Sequence, residues 1–212
     1  MLEIIPLVLG PVSTNCYLIA DPNSGEAVVI DPAWDGRVIM TEAQKRGWKI
    51  GQLWYTHAHF DHFGGAAELV EALHRPDLPV ALHSADLELL KNHGLGKGLG
   101  FEFAIGPLPS VDLAAIRMLS VGDYRFQVRH TPGHSPGHCM FYCAQENVLF
   151  SGDLIFQGGI GRTDLPGGDL DELVESIQKQ VFTLPDETRI LSGHGPETRV
   201  GVEKCGNPFV GT

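Results

Sequence analysis

The stretch His57-Ala58-His59-Phe60-Asp61-His62 places four potential metal ligands within six residues. The preceding residues 52–56, Gln-Leu-Trp-Tyr-Thr, are mainly apolar and aromatic and predict a strand. The following residues, from Phe63 to Leu73, predict a helix. The stretch therefore lies on a loop that leaves a strand and enters a helix, and such loops at the carboxyl ends of strands commonly build functional sites.

Imidazole and carboxylate groups together suit Zn, Fe or Mn, and histidine is the commonest metal ligand. His57 and His59 are two residues apart, so an extended backbone points both side chains the same way. Asp61 and His62 follow as the chain turns into the helix, so they can face a second point. One loop could therefore hold two ions, whereas the alternative is a polar loop that is merely rich in histidine.

The composition is that of an acidic globular chain. Its 212 residues are 43% hydrophobic, which is enough for one sizeable core in a single domain. The formal net charge is −11, and no cluster of Lys and Arg forms the basic patch that nucleic-acid binders carry. The start of the chain lacks the basic region of a signal peptide, and no apolar run approaches the roughly 18 residues of a membrane span. We therefore expect neither nucleic acid nor a membrane as a partner.

The four cysteines are expected to be free thiols. Cys139 and Cys143 lie in one predicted strand, where four residues span roughly 13 Å, too far for a disulfide. The other two are Cys16 and Cys205. Free thiols fit the reducing cytoplasm, where we expect the protein to be located.

Apolar patterning and turn residues predict a chain rich in strands. The predicted strands are Glu3–Leu9, Asn15–Ala20, Ala27–Ile30, Gln52–Thr56, Pro79–His83, Ile116–Leu119, Tyr124–Thr131, Cys139–Cys143, Asn147–Phe150 and Arg189–Leu191. Further helices are predicted over Arg37–Arg46 and over Ala85–Asn92, the second with Ser84 as its N-cap. A third helix is predicted after its N-cap Asp169, with apolar residues from Leu170 to Val181 on one face. Residues 93–109, rich in Gly and Pro, predict a long surface loop, where we expect a mobile lid. Two sheets packed face to face, with helices outside, satisfy this order.

Three later strand ends each supply one more potential ligand. They are His134, Asp153 and His194, and glycine stands beside each of them, where the backbone must turn sharply or approach closely. A lone histidine or aspartate after a strand is usually structural. The joint occurrence of these three with the loop at 57–62 favours a metal site instead.

On these residues the chain resembles the metallo-β-lactamase fold superfamily and, within it, the short glyoxalase II-like (hydroxyacylglutathione hydrolase-like) hydrolases. The likeness covers nearly the whole chain. It implies an α/β (α+β) fold, an αββα sandwich with the site at one edge. It also implies one domain over residues 1–212, without the C-terminal helical domain of full-length glyoxalase II.

Carried over residue by residue, the family pattern implies two divalent ions. It assigns seven ligands: His57, His59 and His134 to one ion, Asp61, His62 and His194 to the other, and Asp153 as a bridge between them. Zn is the expected metal, with Fe or Mn as alternatives. A water between two such ions loses its proton near neutral pH, so a bridging hydroxide would attack an acyl carbonyl. Asp61 and Asp153, which offset part of the metal charge, are the expected catalytic carboxylates.

No convincing general acid is present, since each of the four tyrosines is better explained as a core or surface residue. A thiol leaving group has a pKa of about 8.5 and needs little protonation, so the expected substrate is a small-molecule acyl thioester. His138 and Asp31 are candidates for contacts behind the ligands, or for purely structural roles.

Arg162 is the predicted substrate-binding residue. It lies in the glycine-rich residues 157–164, where glyoxalase II enzymes are similar but have a Lys in its place. A guanidinium there could hold a substrate carboxylate through two hydrogen bonds, whereas the alternative is that Arg162 pairs with Asp164 and shapes the loop. Asp164 and Pro196 stand where glyoxalase II enzymes have the tyrosines that bind glutathione, so the resemblance does not extend to that part of the site.

Other functions are compatible with the same ligands. A mononuclear Fe persulfide dioxygenase of the same superfamily would share residues 161–164, but it usually lacks His138 and the Gly193-His194-Gly195 setting. A lactone or other ester hydrolase would use the same metals. A metal-binding protein without turnover is disfavoured by the intact ligand set, and β-lactamase activity by an Asp at both the Asp61 and Asp153 positions. The sequence predicts no oligomeric state.

Overall fold

In a computed structural model, which describes residues 1–211, the amino-terminal half of the chain forms a six-stranded sheet. Its strands, in spatial order, are β1 (Glu3–Leu9), β2 (Thr14–Ala20), β3 (Glu26–Ile30), β4 (Lys49–Trp54), β5 (Val80–Leu82) and β6 (Val111–Asp112). Strands β1 to β3 pair antiparallel, whereas β3 to β6 pair parallel. The carboxyl ends of β3, β4 and β5 therefore meet at one edge of the sheet.

The carboxy-terminal half forms a second six-stranded sheet and a small two-stranded ribbon. The strands are β7 (Met118–Val121), β8 (Tyr124–His130), β9 (Cys139–Cys143), β10 (Val148–Gly152), β11 (Ile155–Phe156), β12 (Gly159–Ile160), β13 (Arg189–Ser192) and β14 (Thr198–Arg199). Strands β11 and β12 form the ribbon, and the sheet has the order β14-β13-β10-β9-β8-β7. Only β10 and β13 pair parallel in this sheet, so both strands end at the same edge.

The helices are short and lie outside the sheets. They are α1 (Gly36–Arg46), α2 (Phe60–Phe63), α3 (Ala66–Ala72), α4 (Leu87–Lys91), α5 (Leu170–Ser176) and α6 (Val200–Gly206), with 3₁₀ segments at Ser84–Asp86 and His93–Leu99 and a π-helical turn at Ile177–Val181. Among residues 1–211, none of these helices has the length and apolar character needed to cross a bilayer.

Strand β2 shows how the layers are held together, because all of its residues are buried. On one face Cys16 and Leu18 pack in a core shared with α1 and α3, and on the other Tyr17 and Ile19 pack in the core between the two sheets. This alternation follows the two-residue period of a strand. A third core, which contains Leu173, lies between the second sheet and α5. Three apolar layers make the αββα sandwich, so the predicted fold is confirmed.

The predicted helix from Phe63 to Leu73 is wrong at its start. The chain becomes helical at Phe60 and is interrupted at Gly64-Gly65, which separates α2 from α3. Trp34 packs against both glycines: an added Cβ would lie 2.3 Å from its ring at Gly64 and 2.7 Å from its backbone at Gly65. The glycine pair therefore permits a close approach that a continuous helix with larger side chains would prevent.

Two local predictions after β5 are also corrected. Ser84 lies inside a 3₁₀ turn and does not cap α4; the ring of His83 accepts the hydrogen bond from the Ala85 N–H instead, at 3.2 Å. Residues 93–99, predicted as part of a surface loop, form a helical segment packed on α2. The prediction of four free cysteines agrees with the structure.

Candidate metal centre

Hydrogen bonds fix the loop after β4 to its neighbours. Trp54 and Tyr55 are fully buried, and the Tyr55 N–H donates to the Ala81 carbonyl at 2.9 Å. The Thr56 N–H donates to Asp31 Oδ1 at 2.7 Å. The direction in which the chain leaves the sheet is therefore set, and the four predicted ligands that follow are buried: His57, His59, Asp61 and His62.

The structure brings all seven predicted ligands together at the edge where β4, β10 and β13 end. Their potential ligand atoms form three groups, and the atoms of one group all lie within 4.8 Å of one another. The groups are His57, His59 and His134; His57, His62 and Asp153; and Asp61, His62 and His194. The first and third groups match the two sets that the resemblance implied. The second group shares His57 with the first and His62 with the third, and it adds Asp153. The role of each residue as a metal ligand stays a prediction.

Contacts behind the rings decide which histidine nitrogen faces the centre. His134 Nδ1 lies 2.8 Å from the carbonyl oxygen of Arg162, which can only accept, so Nδ1 carries the proton. His62 Nδ1 donates in the same way to the Asp31 carboxylate at 2.9 Å. In both rings Nε2 faces the centre and is the atom available to a metal ion.

His57 is oriented through Thr56. The Thr56 hydroxyl donates to Asp31 at 2.7 Å, so it accepts from His57 Nδ1 at 3.0 Å. His134 Nε2 then lies 3.2 Å from His57 Nε2 and 2.9 Å from His59 Nδ1. Nitrogens bound at about 2.0–2.1 Å to one tetrahedral ion would lie about 3.4 Å apart, close to this spacing. Because three lone pairs at such distances repel unless a cation or a proton lies among them, this group fits a metal ion.

Asp61 and Asp153 bring negative charge to the other groups. His194 Nε2 lies 3.2 Å from Asp61 Oδ2 and 3.5 Å from Asp153 Oδ2. Thr14 Oγ1 donates to Asp61 Oδ2 at 2.8 Å, a contact that the sequence did not predict. His62 Nε2 and Asp153 Oδ1 lie 3.3 Å apart, yet neither of these buried atoms makes a hydrogen bond within residues 1–211. Since buried polar atoms without partners are costly, this pair also fits a bound cation.

Burial and charge make the histidines electrostatically different. Burial, with the neighbouring histidines, holds the pKa of His57 well below its usual range and lowers the pKa of His59 to about 3. Burial acts in the same direction on His62, but the carboxylates of Asp153 and Asp61 outweigh it and hold its pKa well above the usual value. In the metal-free protein, His57 and His59 are therefore neutral, whereas His62 carries a second proton, whose positive charge faces the carboxylates of Asp153 and Asp61.

His138 lies behind Asp153 and belongs to none of the three groups. The Asp153 N–H donates to His138 Nε2 at 3.2 Å, so His138 Nδ1 donates to Thr131 Oγ1 at 2.9 Å. Burial holds the pKa of His138 well below its usual range, which keeps Nε2 available as an acceptor. His138 and Asp31 thus both contact predicted ligands or their backbone, as the sequence suggested.

Asp86 is a residue of the candidate site that the sequence did not predict. It is fully buried and accepts hydrogen bonds from the Ala58 N–H at 3.0 Å, from Ser135 Oγ at 2.7 Å and from the Gly137 N–H at 2.6 Å. Ala58 stands between two predicted ligands, and Ser135 follows a third. Its partners are 28, 49 and 51 residues away in the chain, so no local pattern could have identified it.

Arg162 lies at the rim of the site and is mainly exposed. Its guanidinium makes two hydrogen bonds of 2.7 Å with Asp164, which is the alternative that the sequence left open. Its side chain also lines the cavity above the metal centre, while its backbone carbonyl orients His134. Binding of a substrate carboxylate by Arg162 stays a prediction.

An open cavity of about 870 Å³ lies over the metal centre, a size that suits a small-molecule substrate. Five of the predicted ligands line it: His59, Asp61, His134, Asp153 and His194. Six apolar side chains, which we call the apolar wall, also line it: Val12, Phe60, Leu95, Leu99, Phe101 and Leu165.

Comparisons with known proteins identify the family and support the fold. The profile of the Metallo-beta-lactamase superfamily matches residues 9–194. The hydroxyacylglutathione hydrolase GloC of Haemophilus influenzae is 32% identical over 99% of this chain and 97% of its own. The crystal structure of the BLEG-1 B3 metallo-beta-lactamase is 37% identical, with a TM-score of 0.89 and 99% of both chains covered. The crystal structure of TTHA1623 in a di-iron-bound form is 41% identical, with a TM-score of 0.86 and 97% of this chain and 99% of that chain covered.

Proposed function

The chain belongs to the metallo-beta-lactamase superfamily, and from this premise we propose that it hydrolyses acyl thioesters at a centre of two divalent metal ions, Zn by preference. The observation that carries the proposal is the convergence of seven buried or half-buried imidazole and carboxylate groups at the floor of a cavity of small-molecule size. A hydroxyacylglutathione hydrolase and a di-iron-bound structure among the similar proteins support it.

The chain's own residues supply the positioning. His57, His59 and His134 would hold one ion, and Asp61, His62 and His194 the other, with Asp153 between them. Ions held there supply Lewis acidity, which polarises a carbonyl and lowers the pKa of water. Asp31 and Thr56 keep the His62 and His57 rings in the tautomers that face the centre, so no ring has to reorient when a substrate arrives.

The leaving group is inferred from what the cavity lacks. Among residues 1–211, its lining contains no Tyr, Lys, Cys or Glu, and its acidic groups are predicted ligands. Tyr17 donates its hydroxyl to the Ser192 carbonyl at 2.6 Å, and Tyr55 is fully buried, so neither offers a proton to a substrate. A thiolate departs without a proton, whereas an alkoxide or an amine requires one. Thioesters are therefore the substrates that this site can cleave best.

The test is thiol release by the metal-loaded protein under anaerobic conditions. S-lactoylglutathione and a simple acetyl thioester are compared with an oxygen ester, a β-lactam and, in air, glutathione persulfide. We expect thiol release from both thioesters, much slower turnover of the oxygen ester and the β-lactam, and no oxygen uptake. Oxygen consumption with the persulfide and no thiol release would overturn the proposal in favour of a dioxygenase.

The metal count is tested separately by elemental analysis under saturating Zn, Fe or Mn. We expect two equivalents per chain, and a loss of metal together with activity in Asp153→Ala, because this residue contacts both groups. An exposed aspartate that caps a surface turn, Asp112, offers the matched control Asp112→Ala, which should retain both equivalents. At most one equivalent of any metal in the parent protein would contradict the binuclear centre.

A further inference from the structure

Apart from the predicted ligands, Asn92 and Arg162, the side chains that line the cavity above the metal centre are apolar. The apolar wall contributes six side chains from four separate parts of the chain: Val12, Phe60, Leu95, Leu99, Phe101 and Leu165. Arg162 is the one Lys or Arg side chain among the cavity-lining residues within residues 1–211, and Asp164 already pairs with it through two hydrogen bonds. The cavity therefore offers a highly charged group one cation that is already paired, and offers an apolar group six apolar side chains.

The central part of the wall is fixed to the metal-binding loop. An added Cβ on Gly94 would lie 2.4 Å from the backbone nitrogen of Phe60, and one on Gly96 would lie 2.8 Å from the Phe60 Cβ. Both glycines are buried. Phe101 then stacks on Phe60, with ring centroids 4.7 Å apart and planes at 17°. This part of the wall is thus packed against the loop that carries the predicted ligands His59 and Asp61.

Leu95 stands between these two glycines with a backbone φ of 69°. A bulky side chain rarely adopts this left-handed conformation, which costs free energy and persists only where the surroundings impose it. In this conformation Leu95 lines the cavity. Leu99, also in the wall, is 66% exposed, so a large apolar side chain at the mouth of the site lacks a partner that would cover it.

We propose that the apolar wall binds the acyl group of the substrate, so that the preferred substrates are thioesters of medium-length apolar acyl chains. This inference rests on the proposed thioester hydrolysis and specifies its substrate class. The common thiol carriers of cells are polar and charged, so the apolar part of a natural thioester is its acyl group. Contact with that part lowers the barrier because binding energy from a non-reacting group can position the carbonyl over the metal centre.

The experiment measures kcat/KM of the metal-loaded protein for acetyl, butanoyl, hexanoyl and octanoyl thioesters of one small thiol. We expect kcat/KM to rise about twofold for each added methylene, since part of each methylene leaves water at an open wall. Leu99→Ser and Val12→Ser should reduce this gain, because they make the wall polar at positions that are exposed and tolerant of change. The matched control Leu108→Ser changes another exposed leucine, which lies outside the cavity, and should keep the parent gain.

A binding measurement separates recognition from turnover. Calorimetry with non-hydrolysable thioethers of the same chain lengths should show tighter binding of the octyl than of the ethyl compound, and a smaller difference in Leu99→Ser. Hydrolysis of all four thioesters at equal kcat/KM would overturn the inference and leave thioester hydrolysis standing. A chain-length dependence that Leu99→Ser and Val12→Ser leave unchanged would also overturn it. No thiol release from any thioester would overturn the proposed function itself.

Discussion

The Asp86 carboxylate accepts a hydrogen bond of 2.7 Å from Ser135 Oγ, so a residue just after β5 holds the loop that carries His134. The same carboxylate oxygen accepts from the Ala58 N–H at 3.0 Å, on the loop after β4. One buried side chain therefore sets the distance between two loops from different sheets. Because a metal ligand must be placed to within a few tenths of an ångström, this link matters for affinity as well as for stability.

We predict that Asp86→Ala destabilises the metal-free protein by about 3–5 kcal/mol, because two buried backbone N–H groups and a hydroxyl lose their acceptor. Asp86→Asn keeps the shape and one acceptor oxygen, so its loss should be smaller. The free energy of unfolding is measured in urea with a chelator present, and Zn affinity is measured in parallel. Asp112→Ala removes an exposed carboxylate that caps two backbone N–H groups and serves as control, with a much smaller loss expected. Equal losses for Asp86→Ala and Asp112→Ala would contradict the role of Asp86.

The convergence of the seven predicted ligands could be anticipated from the sequence, because each lies at a recognisable strand end beside a glycine or in the compact loop after β4. Strand β2 was likewise predicted, as Asn15–Ala20, from its run of apolar residues, and the structure has it at Thr14–Ala20. Asp86 could not be predicted, because its partners come from segments that only the tertiary fold brings together. The break at Gly64-Gly65 was missed for a similar reason: it depends on Trp34, about thirty residues earlier, and the local pattern alone favoured one helix.

Gly193 is predicted to be required for metal binding. A Cβ at this position would lie 2.1 Å from Asp153 Oδ1 and 2.7 Å from His62 Cε1, both of which are buried and closely packed. Gly193→Ala should therefore displace Asp153 and weaken metal binding at least tenfold, with a fall in activity of similar size. Metal affinity is measured by competition with a chromogenic chelator.

The matched control for this change is Gly206→Ala. An added Cβ at Gly206 meets nothing within 4 Å, so metal affinity should remain that of the parent protein. Parent-like metal affinity in Gly193→Ala would show that Asp153 is not held where the metal-binding groups require it.

The stability of the metal-free protein should be greatest near pH 6.5–7. Burial holds the pKa values of His57, His59 and His138 below the usual value of about 6.5, so the unfolded chain binds more protons than the fold as pH falls below it. Stability is therefore lost as pH falls from 6.5 towards the pKa of His59, about 3. His62 and His194 have raised pKa values, and their contribution is lost as pH rises above 6.5.

Between pH 6.5 and pH 5 we expect the free energy of unfolding to fall by about 2–4 kcal/mol, since the three buried histidines with lowered pKa values outweigh the two with raised values. Urea denaturation with a chelator present at pH 5, 6.5 and 8 measures this profile. A free energy of unfolding that is constant, or that increases on acidification, would show that the buried histidines do not have the environments described above.

The pairing of Arg162 with Asp164 leads to the last prediction. The guanidinium lowers the pKa of Asp164 to about 2 through its hydrogen bonds, so the carboxylate remains charged and competes with any substrate carboxylate for Arg162. If Arg162 binds substrate carboxylates, then Asp164→Asn should weaken that competition and raise kcat/KM several-fold for a carboxylate-bearing thioester over its neutral amide. Arg162→Ala should abolish this difference, and the double variant should resemble Arg162→Ala.

The surface pair Arg189 and Glu197 has the same two-bond geometry away from the cavity, so Glu197→Gln is the control and should leave the ratio of charged to neutral substrate unchanged. A ratio that neither Asp164→Asn nor Arg162→Ala alters would leave Arg162 with the structural role alone, in which its carbonyl orients His134 and its side chain shapes the loop.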